Sequence, residues 1–296
     1  MSRRPTVVGL GEVLWDVFPD GPRFGGAPAN FASNLAALGR GEIDVTMVSG
    51  VGRDDLGRRA VESLRAHGVD TSGIALVDRP TGQVFVELDT AGEATFEIAA
   101  DTAWDVIAWS DGLAQLAARA DAVCFGTLGQ RSETSRRTIQ RFIAATPPGC
   151  LRILDVNLRP PYWDQAIVVQ SLERANVLKL NDSELAVLAG MWGWRGAEIE
   201  LMKRLVERFS LQWVALTRGA RGAVLLSASG DCSDLPSPPT KVVNTVGAGD
   251  AYTAALAIGM LRRLPTAAIN AWGTRVAAFV CSQPGAAPSL PEHLRS

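Results

Sequence analysis

The sequence predicts an α/β protein built on a doubly wound, mostly parallel sheet with a small β-sheet lid, and three observations carry that prediction. Short β-branched apolar runs alternate with longer amphipathic segments. Most of those runs are apolar throughout, as strands covered on both faces must be. One region breaks the rhythm with two alternating strands and no helix between them. The 296 residues, 47% hydrophobic and 20% charged, suffice for a sizeable core and exclude disorder and collagen-like sequence. We read residues 1–296 as one domain.

The first strand is Thr6–Leu10. Phe31, Leu35 and Leu38 then recur at helical spacing, with Pro28 suited to a first turn and Gly39 to a stop. Val45–Val48 is the next strand, and Leu56, Ala60 and Leu64 repeat the helical spacing before Gly68. Gly82–Leu88 and Ala94–Ile98 form a hairpin about a polar turn with Gly92. Taken with Leu14–Phe24, it makes a small β lid over about residues 12–25 and 79–105; a plain surface hairpin is the alternative. Ala122–Phe125, Leu151–Val156, Val177–Leu180, Trp213–Thr217 and Ala223–Leu226 complete the strands, and the proline-rich Leu235–Thr240 reads as a stiff connection. Ligands of such sheets bind beyond the carboxyl ends of the strands, so function should sit on the loops there.

Charge excludes one class of partner. Lys and Arg total 29 against 31 Asp and Glu, a net charge of −2, so no basic surplus awaits a nucleic-acid backbone. Apolar stretches such as Ala254–Leu261 fall short of the ~20 residues of a membrane helix. Arg3 and Arg4 mimic a signal-peptide head, but Glu12 and Asp16 interrupt the apolar segment behind them. A soluble, cytoplasmic protein is expected. Cys124, Cys150, Cys232 and Cys281 show no metal or disulfide spacing and read as buried apolar fillers. The tryptophans form no stripe and are assigned to packing.

Gly9-x-Gly11 would need its third dinucleotide-fingerprint glycine at position 14, which is Leu14. Lys179, Lys203 and Lys241 are not preceded by glycine, which excludes a P-loop, and neither His67 nor His293 opens a protein-kinase catalytic loop. The strongest chemical signal is Asn244-Thr245-Val246-Gly247-Ala248-Gly249-Asp250-Ala251 ahead of a small-residue helix pattern. Small residues at a helix start turn backbone N–H groups toward an anion, and Asp250 in that turn can serve as a base. A plain glycine-rich cap is the alternative.

Gly25-Gly26-Ala27-Pro28-Ala29-Asn30 offers close backbone approach and a side-chain amide suited to a polyol, or else a tight turn. Asp16 can accept hydrogen bonds from adjacent hydroxyls, or be merely solvated. Asn181 and Glu184, where a strand passes into a helix, suit Mg²⁺ through water, or form a helix-start signature. Arg159 can fork onto a phosphate or substrate oxygen, or pair with Asp155. Thr217-Arg218-Gly219-Ala220-Arg221-Gly222 brings amides to the same edge, or is an ordinary turn between the last two strands.

Together these stretches resemble the ribokinase-like (PfkB) family of sugar kinases, in its fructokinase-like form, over nearly the whole chain. The resemblance implies an αβα fold with a β lid, ATP as donor and Mg²⁺ as cofactor. It implies Asp250 as base and Gly247, Ala248 and Gly249 as the anion hole. Asp16, Gly25, Gly26, Asn30 and Arg159 would hold the sugar. Asn181, Thr217, Gly219, Gly222, Gly249 and the helix around Gly273 and Thr274 would meet the nucleotide, with Glu184 reaching the metal through water. The lid would form a homodimer interface. Asn244 stands where relatives commonly have Asp, which weakens the case for K⁺ activation. The tail Ser282–Ser289 still resembles the family's cation loop, so Asn244, Gly285 and Ser289 stand as a monovalent-cation set. The expected reaction is phosphorylation of D-fructose to fructose 6-phosphate; ribose, 2-keto-3-deoxygluconate and nucleosides are alternative acceptors. A non-catalytic sugar or nucleotide sensor is the rival of another class, opposed by the intact Gly247–Asp250 run.

Overall fold

The computed structural model describes residues 3–88 and 94–295; the turn with Gly92 lies outside them. The chain order begins β1 (Thr6–Leu10), β2 (Leu14–Phe18), β3 (Gly21–Gly25), α1 (Ala27–Leu38), β4 (Asp44–Gly52), α2 (Asp55–Ala66) and β5 (Asp70–Val77). It continues with β6 (Gly82–Leu88), β7 (Ala94–Ile98), α3 (Asp111–Arg119), β8 (Ala122–Phe125), α4 (Glu133–Ala144), β9 (Leu151–Asp155), α5 (Gln165–Arg174) and β10 (Val177–Asn181). The last part is α6 (Asp182–Met191), α7 (Glu198–Phe209), β11 (Trp213–Thr217), β12 (Ala223–Ser227), β13 (Cys232–Leu235), α8 (Ala248–Leu261) and α9 (Thr266–Cys281).

Nine strands form one sheet in the order β13-β12-β11-β10-β9-β8-β1-β4-β5. Every pair from β11 to β5 is parallel, while β12 and β13 are antiparallel. The seven runs expected from sequence all lie in it. β5 and β13 are additional, so Thr217–Gly222 does not join the last two strands and the proline-rich connection follows a strand ending at Leu235. Successive strand residues feed opposite cores: Val7, Ile153 and Ala215 pack with Phe31, Leu64 and Tyr252 of the α1, α2, α8 and α9 layer. Val8, Leu154 and Leu216 pack with Ile139, Val168 and Leu205 on the other face. Burial on both faces is what made these strands uniformly apolar.

A second sheet, in the order β3-β2-β6-β7, is the one expected as a lid. Leu14, Val84 and Ile98 pack with Trp104 and Leu128 of the body, which fixes the small sheet over one end of the large one. Among the cysteines, Cys124 and Cys150 are buried fillers as expected, but Cys232 is exposed and Cys281 partly so. The tryptophans pack: Trp104 is fully buried, and Trp15, also buried, donates its indole N–H to Leu56 O of α2 at 3.0 Å.

Candidate active site

Two helix starts meet beyond the carboxyl ends of the central strands. Gly26 caps α1 with φ 105°, and a Cβ there would lie 2.6 Å from Glu12 O, so only glycine turns the chain from β3 into the helix. Gly247 caps α8 with φ 81°, and its Cβ would lie 2.5 Å from Ala286 Cβ and O. The N–H groups in the first turn of each helix have no carbonyl within the helix to bond. Across this junction Asn30 Nδ2 donates to Asp250 Oδ2 at 2.9 Å, joining residues 220 apart in sequence. Asn34 Nδ2 ties the same region to the tail through Asn30 O at 2.9 Å and Ala286 O at 3.0 Å.

Asp250 is half-buried in the first turn of α8. Burial and then Asp155 raise it to about 6, against the opposing pull of Lys179, Asn30 and Arg159. Asp16, on β2 opposite Arg23, is raised by burial to about 6, with Arg159 and Arg23 pulling it down. Gly25 is buried at the end of β3 beside it; a Cβ there would stand 2.9 Å from Asp16 Oδ2. Arg159 is exposed and makes no ion pair among the described residues; one guanidinium nitrogen donates to Leu158 O at 3.0 Å. Its expected alternative partner, Asp155, is instead bound to Lys179 at 3.1 Å. A carboxylate on a helix start, a side-chain amide against it and a second carboxylate with a free Arg beside them can orient a polyhydroxyl ligand and accept its proton.

Behind the α8 start lies a cavity of about 390 Å³ lined by Thr217, Gly219, Gly222, Gly249 and Thr274 among others. Five of the seven expected nucleotide-side residues therefore line one cavity. Asn181 is beside it, paired in register with Thr217. Gly273 does not line it but lies against Tyr252, 2.7 Å from ring carbons for a Cβ there. Cys281 does line it.

Asn181 and Glu184 form a reciprocal helix cap: Glu184 N donates to Asn181 Oδ1 at 2.9 Å and Asn181 N to Glu184 Oε2 at 2.8 Å. Leu158 N donates to Glu184 Oε1 at 3.0 Å. Both carboxylate oxygens are thus engaged, and burial raises the group above the ordinary glutamate range. No group of three or more His, Cys, Asp or Glu suited to a metal occurs among the described residues. A magnesium here would be held mostly by phosphates and water, with Glu184 reaching it only through that water. Asn244 Oδ1 accepts from Val246 N at 3.0 Å, Gly285 and Ser289 are exposed, and no hydrogen bond joins the three among the described residues.

Sequence reasoning passed over two charged groups. Glu12, read only as an interruption of an apolar run, is 2% exposed with Oε2 unpartnered. Lys179, noted only for lacking a preceding glycine, is 7% exposed in the middle of β10. In both, a charge inside an otherwise apolar segment was the available signal.

A model of pfkB family carbohydrate kinases matches residues 20–293. The chain belongs to the pfkB family of carbohydrate kinases. It is therefore an ATP-dependent sugar kinase by family, and its ribokinase-like fold agrees. A putative sugar kinase of Pyrococcus horikoshii is 31% identical over 80% of this chain and 73% of its own. The crystal structure of that protein in complex with ATP superposes with a TM-score of 0.79 over 97% of this chain and 94% of the other, at 27% identity. A fructokinase of Salmonella typhimurium is 31% identical over 83% of this chain and 81% of its own. An aminoimidazole riboside kinase of the same species is 27% identical over 80% of this chain and 74% of its own. No helix among the described residues is long and apolar enough to cross a membrane.

Proposed function

We propose that this pfkB kinase is a fructokinase, transferring the γ-phosphoryl group of ATP to the primary hydroxyl of D-fructose to give fructose 6-phosphate. The observation that carries the reading is the Asn30–Asp250 hydrogen bond, which sets a polyol-binding amide against a carboxylate on an anion-facing helix start. The similarity to a fructokinase supports the choice of sugar.

In this reading Asp16, Gly25, Gly26, Asn30 and Arg159 hold the hydroxyls. Asp250 takes the proton of the primary hydroxyl as its oxygen bonds to the γ-phosphorus. The bond to the bridging oxygen breaks and its electron pair leaves with ADP. The amides of Gly247, Ala248 and Gly249 face the charge that develops on the phosphoryl oxygens. Thr217, Gly219, Gly222 and Thr274 line the nucleotide cavity, and Asn181 fixes Glu184. Magnesium, held by phosphates and water near Glu184, would neutralise phosphate charge when bound. The two segments 12–25 and 79–105 act as a lid that excludes water from a single domain. Phe85, 41% exposed on the lid, offers a place for a second copy. The unpaired cysteines suit the cytoplasm.

ADP release measured over fructose, ribose, 2-keto-3-deoxygluconate, aminoimidazole riboside and other nucleosides tests the proposal. Highest kcat/KM with fructose is expected. Preference for another acceptor overturns the substrate, and sugar binding by calorimetry without transfer to any acceptor favours a sensor.

A further inference from the structure

Lys179 stands opposite Asp155 in the parallel pairing of β10 and β9, on the face covered by α8. Its ammonium lies 3.1 Å from both Asp155 oxygens. A Cβ placed on Gly249 would lie 2.8 Å from Nζ and 3.5 Å from Cε. The absence of a side chain at 249 is thus what lets a buried cation reach the first turn of α8. Asp155 is further steadied by Thr253, whose single hydroxyl proton is shared between Gly249 O at 2.9 Å and Asp155 Oδ2 at 3.3 Å. The ion pair is therefore built into the helix start and not into the distant core.

A buried ion pair is weak evidence for stability, because desolvation offsets much of the attraction. A pair retained at the turn expected to meet a phosphate calls for another reason. An ammonium carries three donors, and Asp155 is its only hydrogen-bond acceptor among the described residues. Burial alone would discharge the amine, but Asp155, Glu184 and Asp250 around it outweigh that and hold it charged. The same carboxylates place it between the metal-side helix cap and the first turn of α8.

We propose that Lys179 is a catalytic residue of phosphoryl transfer, its ammonium contacting the migrating phosphoryl group from the sheet side of the α8 start while Asp155 and Thr253 hold it in place. The proposal rests on the kinase reading above. As the sugar oxygen bonds to phosphorus and the bond to ADP breaks, charge spreads over the phosphoryl oxygens. The amides of Gly247–Gly249 meet it from one side and Lys179 from the other. Lys179 neither gains nor loses a proton; the hydroxyl proton goes to Asp250.

Because Lys179→Met alone strands a buried carboxylate, the decisive comparison is between Asp155→Asn and Asp155→Asn/Lys179→Met, in steady-state kinetics with ATP and the best sugar. The single variant keeps the lysine beside Glu184 and Asp250, and although the loss of Asp155 lowers kcat, activity well above that of the double variant is expected. The double variant should lose a further ~10²-fold in kcat, the scale of one oxyanion donor, with both KM values within about threefold. Lys179→Ala should recover at least tenfold in kcat with millimolar methylammonium, saturably, whereas added K⁺ should not restore it. Equal kcat in the single and double variants, or no recovery with the amine in a folded Lys179→Ala protein, overturns the role. If the parent itself transfers to no sugar, the function reading fails first; if the parent works and the variants match it, only this inference fails.

Discussion

Glu12→Gln is expected to stabilise the protein at alkaline pH and to leave it nearly unchanged in acid. Burial dominates the environment of Glu12, Asp250 adds repulsion, and its own N–H, Arg159 and the Ala27 N–H only partly compensate, so the carboxyl is raised from 4.5 to about 7. A folded-state value above the unfolded one means that the native state favours the proton. That contribution is fully present below pH 4.5 and is lost as pH rises through about 7. At ~1.4 kcal/mol per tenfold, the interval corresponds to ~3 kcal/mol at most. A glutamine of the same shape removes the charge and with it the penalty. Differential scanning calorimetry at pH 5 and pH 8.5 reads the effect, at roughly 2 °C per kcal/mol for a chain of this size. The parent should lose Tm between the two conditions by several degrees more than the variant. Identical pH dependence of the two proteins would refute the argument that Glu12 is buried at an energetic cost.

Asp250→Asn should bind ATP with unchanged affinity in calorimetry and lose at least ~10² in kcat. In the parent, kcat/KM should fall as pH drops through about 6, since protonation of Asp250 removes the base; a flat profile down to pH 5 would contradict that. Gly247→Ala forces a Cβ 2.5 Å from Ala286 at φ 81°. Turnover and Tm should both drop, and a fully active, equally stable variant would show that the tail does not pack there. With Asn244 uncharged and its Oδ1 bonded to Val246 N, replacing K⁺ by tetramethylammonium should change kcat less than twofold; a tenfold loss would restore a cation site.

The central strands were legible because burial on both faces wrote them as continuous apolar runs. β5 was not, since it ends the sheet: its burial alternates irregularly and Leu76 is 53% exposed. β13 escaped because Cys232-Ser233-Asp234-Leu235 carries no β-branched residue, and its strand comes from antiparallel pairing with β12. The glycine-rich helix starts were readable from spacing alone. What spacing does not encode is which distant residue faces them. Asn30 meeting Asp250 and Asp155 meeting Lys179 follow from layers docking across the sheet, so Asp155 was weighed against Arg159, its sequence neighbour. Asn181 and Glu184 illustrate a different limit, since the observed bonds form the helix cap and the metal-side reading of the same two side chains rests on the proposed function.

The bond from Asn30 to Asp250 has a bearing on how the enzyme is assembled. One partner is contributed in about the first tenth of the polypeptide and the other in its final sixth. A nascent chain emerging from the ribosome holds an incomplete centre until α8 docks against α1. Phosphorylating activity should therefore report the finished protein alone, and fragments should regain it only when both halves are combined.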